Sequence, residues 1–253
     1  MMKGPRFTFR SMILFLLLNS VVINAYSISI STRRLYLDPN SNSTSIRVHN
    51  MDPTVQHCEL QIKDVVINNQ GLIALANKTA DTANSVKPLV RLAPRRFTLG
   101  TAEHQMVKLL YRRKPGIDNG EYQGVLAIKC TEQTENRNLP VTIIPALVHN
   151  VPVIVRTGRL PLQAEFGPPT ISNNILNIDL KISGRRSLTG DIVVINADSG
   201  EVVAQQKHLS VYSQHPLKKL QFALGNYQNT PLQIKLTEDP RMGGDLVIQK
   251  LIK

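Results

Sequence analysis

Side chains that could perform acid–base, nucleophilic or metal chemistry are few and dispersed in this sequence. The 253 residues include six histidines and two cysteines. There is no Gly-x-Ser-x-Gly, His-Glu-x-x-His or Cys-x-x-Cys motif, no phosphate loop and no dinucleotide-binding glycine pattern. Glu132 and Glu135 lie in a polar stretch and are most simply solvated. The pattern predicts a protein that is not an enzyme and uses no cofactor or metal ion, with a dispersed active site as the alternative.

The two cysteines, Cys58 and Cys130, are the next candidates for chemistry. A zinc site is not favoured, because neither has a second cysteine nearby and His57 is merely adjacent to Cys58. In an exported protein, two cysteines favour one disulfide. Whether the chain is exported is therefore the next question.

The amino terminus has the pattern of a secretory signal. Lys3, Arg6 and Arg10 precede an apolar run over Met12–Ile23, and a small residue, Ala25, follows. We predict a signal peptide over residues 1–25; a membrane anchor is less favoured because the run is short for a span. Cleavage would lower the net charge from +12 to +9, and no membrane insertion is expected afterwards.

The remaining positive charge is scattered along the chain. The sequence has no tryptophan and few other aromatic residues, so the interleaved basic and aromatic side chains of a nucleic-acid site are missing. We predict no nucleic-acid partner. Solvated loops and strand ends are the simplest location for these cations, and an excess of this sign also favours acidic partners.

One segment, Leu139–Gly158, is apolar almost throughout yet interrupted by three prolines. The prolines and the polar pair His149-Asn150 exclude a membrane helix, since each proline removes a helix hydrogen bond. Its many β-branched residues favour a strand, and its prolines favour an edge over a central position. A bare apolar edge promotes aggregation, so we expect another part of this chain or another chain to cover it.

Short alternating segments separated by turn residues recur along the whole chain and predict an all-β protein. The predicted strands are Ser27–Leu37, Ser45–Asn50, Val55–Ile67, Val90–Ala93, Gln105–Arg112, Tyr122–Cys130, Ile171–Ile182, Gly190–Asn196, Val202–Leu209, Leu217–Leu224, Leu232–Leu236 and Asp245–Ile252. Ala74–Lys87 is predicted to be a loop, and the proline-rich stretch Gly158–Pro169 to be a junction. We therefore expect two β-sandwich domains, at residues 26–157 and 158–253.

The first of these domains resembles the PapD-like periplasmic chaperones of the chaperone–usher pathway. The motifs that carry the resemblance are Thr32-Arg33-Arg34-Leu35-Tyr36, Val90–Pro94 followed by Gln105–Lys108, and Gly120-Glu121-Tyr122 followed by Val125–Ile128. The resemblance covers Ser27–Arg156 and is weaker beyond. It implies two immunoglobulin-like β-sandwich domains in a boomerang arrangement, and a chaperone that binds pilus or fimbrial subunits and delivers them to an outer-membrane usher.

The resemblance also implies a mechanism, donor-strand complementation, and a set of site residues. The apolar segment would be the donor strand, whose side chains at Val141, Ile143, Pro145 and Leu147 fill the subunit. We expect the alternate residues, Val148 among them, to face the chaperone's own core, although a bulge at a proline would exchange the two faces. In an immunoglobulin-like topology the strands of Cys58 and Cys130 should be neighbours, as the disulfide requires.

The family anchors the subunit's terminal carboxylate with two basic residues. Arg33 matches the first, while the second position is occupied by Pro152, so either Arg156 or Arg159 replaces the second residue or the carboxylate is anchored differently. The resemblance places the protein in the periplasm. The alternative is a secreted binding or adhesion protein with tandem sandwiches. The sequence leaves open which fibre and which subunit are served.

Overall fold

The structure, a computed structural model, describes residues 27–77, 79–80, 82–112, 114–132 and 146–252. These residues form strands and three short 3₁₀ turns, with no α-helix in the described ranges. The strands are β1 Ile28–Ile30, β2 Leu35–Leu37, β3 Ser43–Asn50, β4 Gln56–Lys63, β5 Val65–Ile67, β6 Ile73–Leu75, β7 Val90–Ala93, β8 Arg96–Leu99, β9 His104–Tyr111, β10 Gly120–Glu132, β11 Leu147–Thr157, β12 Leu162–Phe166, β13 Thr170–Ser172, β14 Ile175–Gly184, β15 Leu188–Asn196, β16 Val202–Val211, β17 Leu217–Ala223, β18 Leu232–Glu238 and β19 Val247–Ile252.

The strands build two sandwiches with separate apolar cores, which confirms the predicted all-β, immunoglobulin-like fold. The first core is filled from both sheets by alternating residues such as Val48, Val107, Leu126 and Val153. Its sheets have the strand orders β1-β3-β9-β7 and β2-β11-β10-β4-β8. The second core is formed by residues between Phe166 and Ile252.

The chain crosses from one sheet of the first sandwich to the other within the predicted strand Ser27–Leu37. Strand β1 pairs antiparallel with β3, whereas β2 pairs parallel with Val153–Val155 of β11. The break between them lies at Ser31–Arg34, where the Ser31 hydroxyl accepts a hydrogen bond from the Arg47 N–H. The crossover gives β2 a place beside β11.

The predicted disulfide is present and joins neighbouring strands of one sheet. Cys58 of β4 lies directly opposite Cys130 of β10, and both are buried in the first core. The bond therefore fixes β10 to β4 at the end of β10 where residue 147 of β11 also pairs.

Asp64 divides the predicted strand Val55–Ile67 into β4 and β5. Its carboxylate accepts hydrogen bonds from the Ser85 hydroxyl and from Lys87 Nζ, each at 2.5 Å. The chain then turns into a hairpin of β5 and β6, so part of the predicted loop Ala74–Lys87 is strand. The hairpin turn reaches the second sandwich at Gly71, which has φ +70° and where a Cβ atom would lie 3.0 Å from His215.

The second sandwich consists of one sheet with β14 paired to β12, β13 and β17, and another in the order β16-β15-β18-β19. A buried ion pair lies at the end of this domain that faces the first. Arg186 binds both carboxylate oxygens of Glu238, and this carboxylate also accepts the N–H groups of Asp245 and Leu246. The pair stabilises the turn at Pro240–Met242.

Candidate functional site

Strand β11 has one partner along its whole length and a second partner along only part of it. It pairs antiparallel with β10 from Leu147 to Thr157. On its other edge only Val153–Val155 is covered, by β2. Among the described residues, no strand pairs with this edge over Leu147–Pro152, and its backbone groups there are available to another strand.

The facing of the side chains on β11 corrects one prediction. Because the ladder with β10 has no register shift, Leu147 lies on the same face as Val151, Val153 and Val155, which are in the first core. Val148 lies on the opposite face. Leu147 is 54% exposed and Val148 39% exposed, since both lie beyond the end of the packed core. The expectation that Val148 faces this protein's core and Leu147 faces away is therefore reversed.

The other predicted donor positions, Val141, Ile143 and Pro145, lie outside the described residues. The nearest described polar group on the core-facing side of β11 is the imidazole of His149. Its Nε2 is buried and has no hydrogen-bond partner in the part of the chain that the structure describes. The core thus ends at a polar side chain, immediately before the exposed end of β11.

Arg33 and Arg34 lie in the crossover between β1 and β2 and have opposite environments. The Thr32 hydroxyl donates to the Arg34 carbonyl at 2.9 Å and fixes the local turn. Arg34 then extends to the second domain, where it donates to Thr189 at 2.7 Å and to Ser210. Arg33 is exposed, and we find no hydrogen bond or ion pair between its side chain and a described residue. Its guanidinium is free to bind a carboxylate.

Arg156, the second predicted anchor, is committed to the interface between the domains. Its side chain is 5% exposed and forms an ion pair with Glu121 at 2.9 Å. It also donates to the carbonyls of Met242 and Ser187, at 2.8 and 2.9 Å. A guanidinium enclosed in this way has no face open to a ligand carboxylate, so the geometry argues against Arg156 as an anchor.

Glu121 is a buried member of the same interface that the sequence analysis did not predict as a functional residue. Its carboxylate accepts hydrogen bonds from the Ser187 N–H at 3.1 Å and from Gln123 at 2.9 Å, besides the ion pair with Arg156. The motif Gly120-Glu121-Tyr122 had marked the position, but only as a strand signature. Because all its acceptors have donors, the buried charge is compensated.

Tyr36 of β2 packs over this interface. The Arg156 guanidinium lies 5.3 Å from the ring centroid, a cation–π distance. Burial raises the pKa of the Tyr36 hydroxyl to about 12, although the nearby Arg156 charge opposes the rise. Gly243, with φ +66°, is required here, because a Cβ atom would lie within van der Waals radii of the Tyr36 hydroxyl.

A groove of about 940 Å³ lies beside this contact, between the two domains. Its lining includes Tyr36, Arg156, Arg159 and Arg186, of which Arg156 and Arg186 are neutralised by Glu121 and Glu238. Arg159 is exposed and has no ion pair within the described ranges. Arg156 and Arg159 were the two candidates for the second basic anchor, whose position in the family is occupied here by Pro152. Of these two, Arg159 is therefore the accessible one. Arg33 is not part of this lining.

The described residues also lack two other features, a metal site and a membrane-spanning helix. These residues contain no cluster of three or more histidine, cysteine, aspartate or glutamate side chains arranged to hold a metal ion. They also include no helix with the length and apolar character needed to span a bilayer.

Comparison with known proteins gives matches only among solved structures. No family model and no curated protein matches this chain. The YadV chaperone is similar at 12% identity over 89% of this chain and 99% of its own, with a TM-score of 0.48. The Acinetobacter baumannii complex of CsuC with CsuE, a chaperone with a tip adhesion subunit of Csu pili, is similar at 11% identity, 88% and 97% coverage and TM-score 0.46.

The Salmonella enterica complex of SafA pilin with the SafB chaperone is also similar, at 10% identity, 90% and 98% coverage and TM-score 0.47. Each of these three structures contains a chaperone.

Proposed function

We propose that this protein is a periplasmic chaperone that binds pilus or fimbrial subunits by donor-strand complementation and delivers them to an outer-membrane usher. The observation that carries the proposal is the half-covered strand β11, which has no strand partner among the described residues on one edge over Leu147–Pro152 and which exposes the apolar side chains of Leu147 and Val148. The sequence motifs that resemble the chaperone family support the same conclusion. After export, the signal peptide over residues 1–25 would be removed.

In this mechanism the free edge of β11 supplies main-chain hydrogen bonds to a subunit strand, and its side chains fill a gap in the subunit. On one face of β11, the side chains of Val151 and Val153 fill the chaperone's own core. On the same face, the side chain of Leu147 would enter the core of the subunit. By period two, Val141, Ile143 and Pro145 share this parity, so we propose the same four donor residues, with the core-facing side as the donated one. Each fully buried large apolar side chain contributes roughly 1.5–3 kcal/mol before association costs.

The subunit's terminal carboxylate would bind Arg33. This side chain is exposed and unpaired among the described residues, whereas its neighbour Arg34 is bound to the second domain. Arg159, on the interdomain groove, is the candidate for a second contact. Arginine suits the role because its planar guanidinium binds a carboxylate through two parallel hydrogen bonds.

The donor-strand proposal is tested by comparing two adjacent positions. Leu147→Asp would place a charge in the subunit's core, whereas Val148→Asp lies on the opposite face of β11. We expect both variants to fold, because both side chains are exposed. Co-purification from periplasmic extracts should recover a one-to-one complex with Val148→Asp and none with Leu147→Asp. Equal recovery with the two folded variants would exclude the proposed donor face.

The anchor proposal is tested with Arg33→Ala against a matched control, Arg47→Ala. Both arginines are exposed in the first domain, and neither side chain has a hydrogen bond or ion pair among the described residues. Leaving the partner carboxylate unpaired should cost about 2–5 kcal/mol, so subunit recovery should fall with Arg33→Ala and be normal with Arg47→Ala. Normal recovery with both would transfer the anchor role to Arg159.

A further inference from the structure

The side of the first sandwich opposite β11 has a second open edge. Strand β7 pairs with β9 on one side and ends its sheet, whose order is β1-β3-β9-β7. No strand pairs with the other side of β7 in the described residues. This edge is separate from the free edge of β11, which belongs to the other sheet.

The hydrogen-bond pattern shows which backbone groups of β7 face outward. The Arg112 N–H donates to the Leu89 carbonyl at 2.7 Å, and Arg91 and Ala93 lie opposite Leu110 and Lys108. In an antiparallel ladder, only every second pair of opposite residues is hydrogen-bonded. The residues between these pairs direct their N–H and C=O groups away from β9. Val90 and Leu92 therefore present donors and acceptors to an added strand.

A depression of about 710 Å³ lies on the outer side of this edge and carries an unbalanced positive charge. Four of its cations, Arg91, Arg95, Arg112 and Lys114, are exposed and have no ion pair with a described residue. No acidic residue contributes to the lining. Four cations without an acidic neighbour in the lining thus lie together at a place where a backbone edge is also open.

A second depression, of about 700 Å³, lies on the inner side of the same edge and has a different character. Its lining combines the apolar residues Leu60, Ile62, Val90 and Leu92 with charged and amide side chains. Of its cations, Arg96 pairs with Glu59 and Lys87 pairs with Asp64, whereas Arg95, which also lines the outer depression, has no ion pair with a described residue. The two sides of β7 therefore differ: the outer side carries four unpaired cations, and the inner side offers apolar side chains among mostly paired charges.

We propose that the β7 edge is a second docking site that binds an extended, acidic polypeptide segment by strand addition. Successive side chains of an added strand point to opposite faces, so one set would meet the four cations and the other the inner depression, where Leu60, Ile62 and Leu92 lie. The segment that fits has carboxylates at every second position, separated by apolar residues. This site is distinct from the donor strand and does not depend on it.

The test measures binding of a fluorescent eight-residue peptide of alternating valine and glutamate to the exported protein. We expect the triple variant Arg91→Ser, Arg112→Ser, Lys114→Ser to weaken binding at least tenfold. The control Lys207→Ser, Lys219→Ser, Lys235→Ser removes the same charge from exposed or half-exposed sites of the second domain and should change it less than twofold. Equal weakening by both triples would show that net charge alone attracts the peptide and would overturn the site.

Two altered peptides test the edge with the unchanged protein, so the result does not depend on a variant that folds. A valine–glutamine peptide should bind at least tenfold more weakly, because it lacks the carboxylates. The glutamate peptide with methylated valine amides should also lose at least tenfold, because it cannot complete the ladder. Unchanged affinity of either peptide would contradict strand addition of an acidic segment.

An anionic membrane surface is the other partner that four cations could attract. Vesicles of phosphatidylglycerol should therefore be tested as competitors. We expect the vesicles to displace a simple polyanion from the protein at concentrations at which the valine–glutamate peptide stays bound. If vesicles bind through the same three cations and displace the peptide completely, the surface is a membrane contact and the proposal is wrong.

Discussion

The two halves of strand β11 share the hydrogen-bonded neighbour β10, yet they lie in contrasting environments. Leu147–Asn150 pairs only with β10 and is largely exposed, whereas Val153–Thr157 is buried on both faces. The difference lies partly in the residues, since the first half carries the polar pair His149-Asn150, and partly in the partners. Strand β2 covers the edge of the second half, and the second domain covers its outer face at Arg156.

Pro152 lies at the boundary between the halves, directly before the first residue that pairs with β2. A proline has no N–H to donate, so it suits a place where one edge of the strand has no partner. The comparison teaches that one continuous strand can belong to the core in one half and present an open edge in the other. Four experiments would break or sharpen it.

The largest effect is expected in the buried half, from Arg156→Met. The variant would leave the Glu121 carboxylate buried without its ion pair and deprive the carbonyls of Ser187 and Met242 of a donor. We expect a loss of about 5 kcal/mol in the free energy of unfolding, the upper end for a broken buried pair. Urea denaturation measures it, and the double variant Arg156→Met, Glu121→Gln should recover part of the loss. A loss below about 1 kcal/mol would show that the interface does not fix this half of the strand.

The second-largest loss in the free energy of unfolding is expected from removal of the disulfide, which stabilises the exposed half of β11. Cys130 lies opposite Leu147, so its bond to Cys58 holds β10 in place where β11 has no other support. With the cysteines 72 positions apart in sequence, the chain-entropy model gives a contribution on the order of 4 kcal/mol. We expect the double variant Cys58→Ala, Cys130→Ala to lower the free energy of unfolding by that amount. Reactive thiols in the unreduced wild-type protein would contradict the bond itself.

A matched pair of truncations compares the two halves directly. Val153→Ala removes two methyl groups from the first core and should cost about 2 kcal/mol. Leu147→Ala removes a larger side chain but an exposed one, and should cost less than about 0.5 kcal/mol. Thermal and urea unfolding of the two variants measure these two losses in the free energy of unfolding. Similar costs would mean that Leu147 is packed in the free protein.

The smallest effect concerns Tyr36, beside the buried half. Its pKa is raised to about 12 by burial, so the folded protein keeps the phenol protonated when the unfolded chain begins to lose its proton. The contribution to stability is complete below about pH 10 and is lost as the pH rises towards 12. Ultraviolet titration should show one phenolate that appears near pH 12 and is absent in Tyr36→Phe. A titration with no such late component would contradict the burial of this ring.

Much of the fold follows from the sequence, because alternation of apolar residues is a local signal. Strands such as β3, β9 and β15 were predicted within a few residues. The crossover at Ser31–Arg34 was not, since two sheets use the same alternating pattern and only tertiary pairing separates β1 from β2. Strands β6 and β8 were missed for a similar reason: each has three or four residues and depends on a neighbour.

The candidate site was predicted less completely than the fold. The free cation at Arg33 and the apolar strand could be identified, because each has a motif or composition of its own. The commitment of Arg156 could not be anticipated, since its partners Glu121, Ser187 and Met242 are distant in sequence. The facing of Leu147 depended on whether a bulge interrupts β11 at its prolines, and the uninterrupted ladder with β10 decided it.

The parallel pairing of β2 with β11 has a consequence for the order in which the molecule folds as it is synthesised. The paired residues Leu35 and Val153 differ by 118 in number (153 − 35), so a chain that emerges amino terminus first must wait for nearly the whole domain before this ladder closes. Arg34, beside β2, must wait longer still for Thr189 and Ser210. Loop-closure entropy opposes such late contacts until the intervening strands have formed. Strand β2 is thus among the first of these strands to be synthesised and among the last to find its place, and the contacts of Arg34 form only when both domains exist.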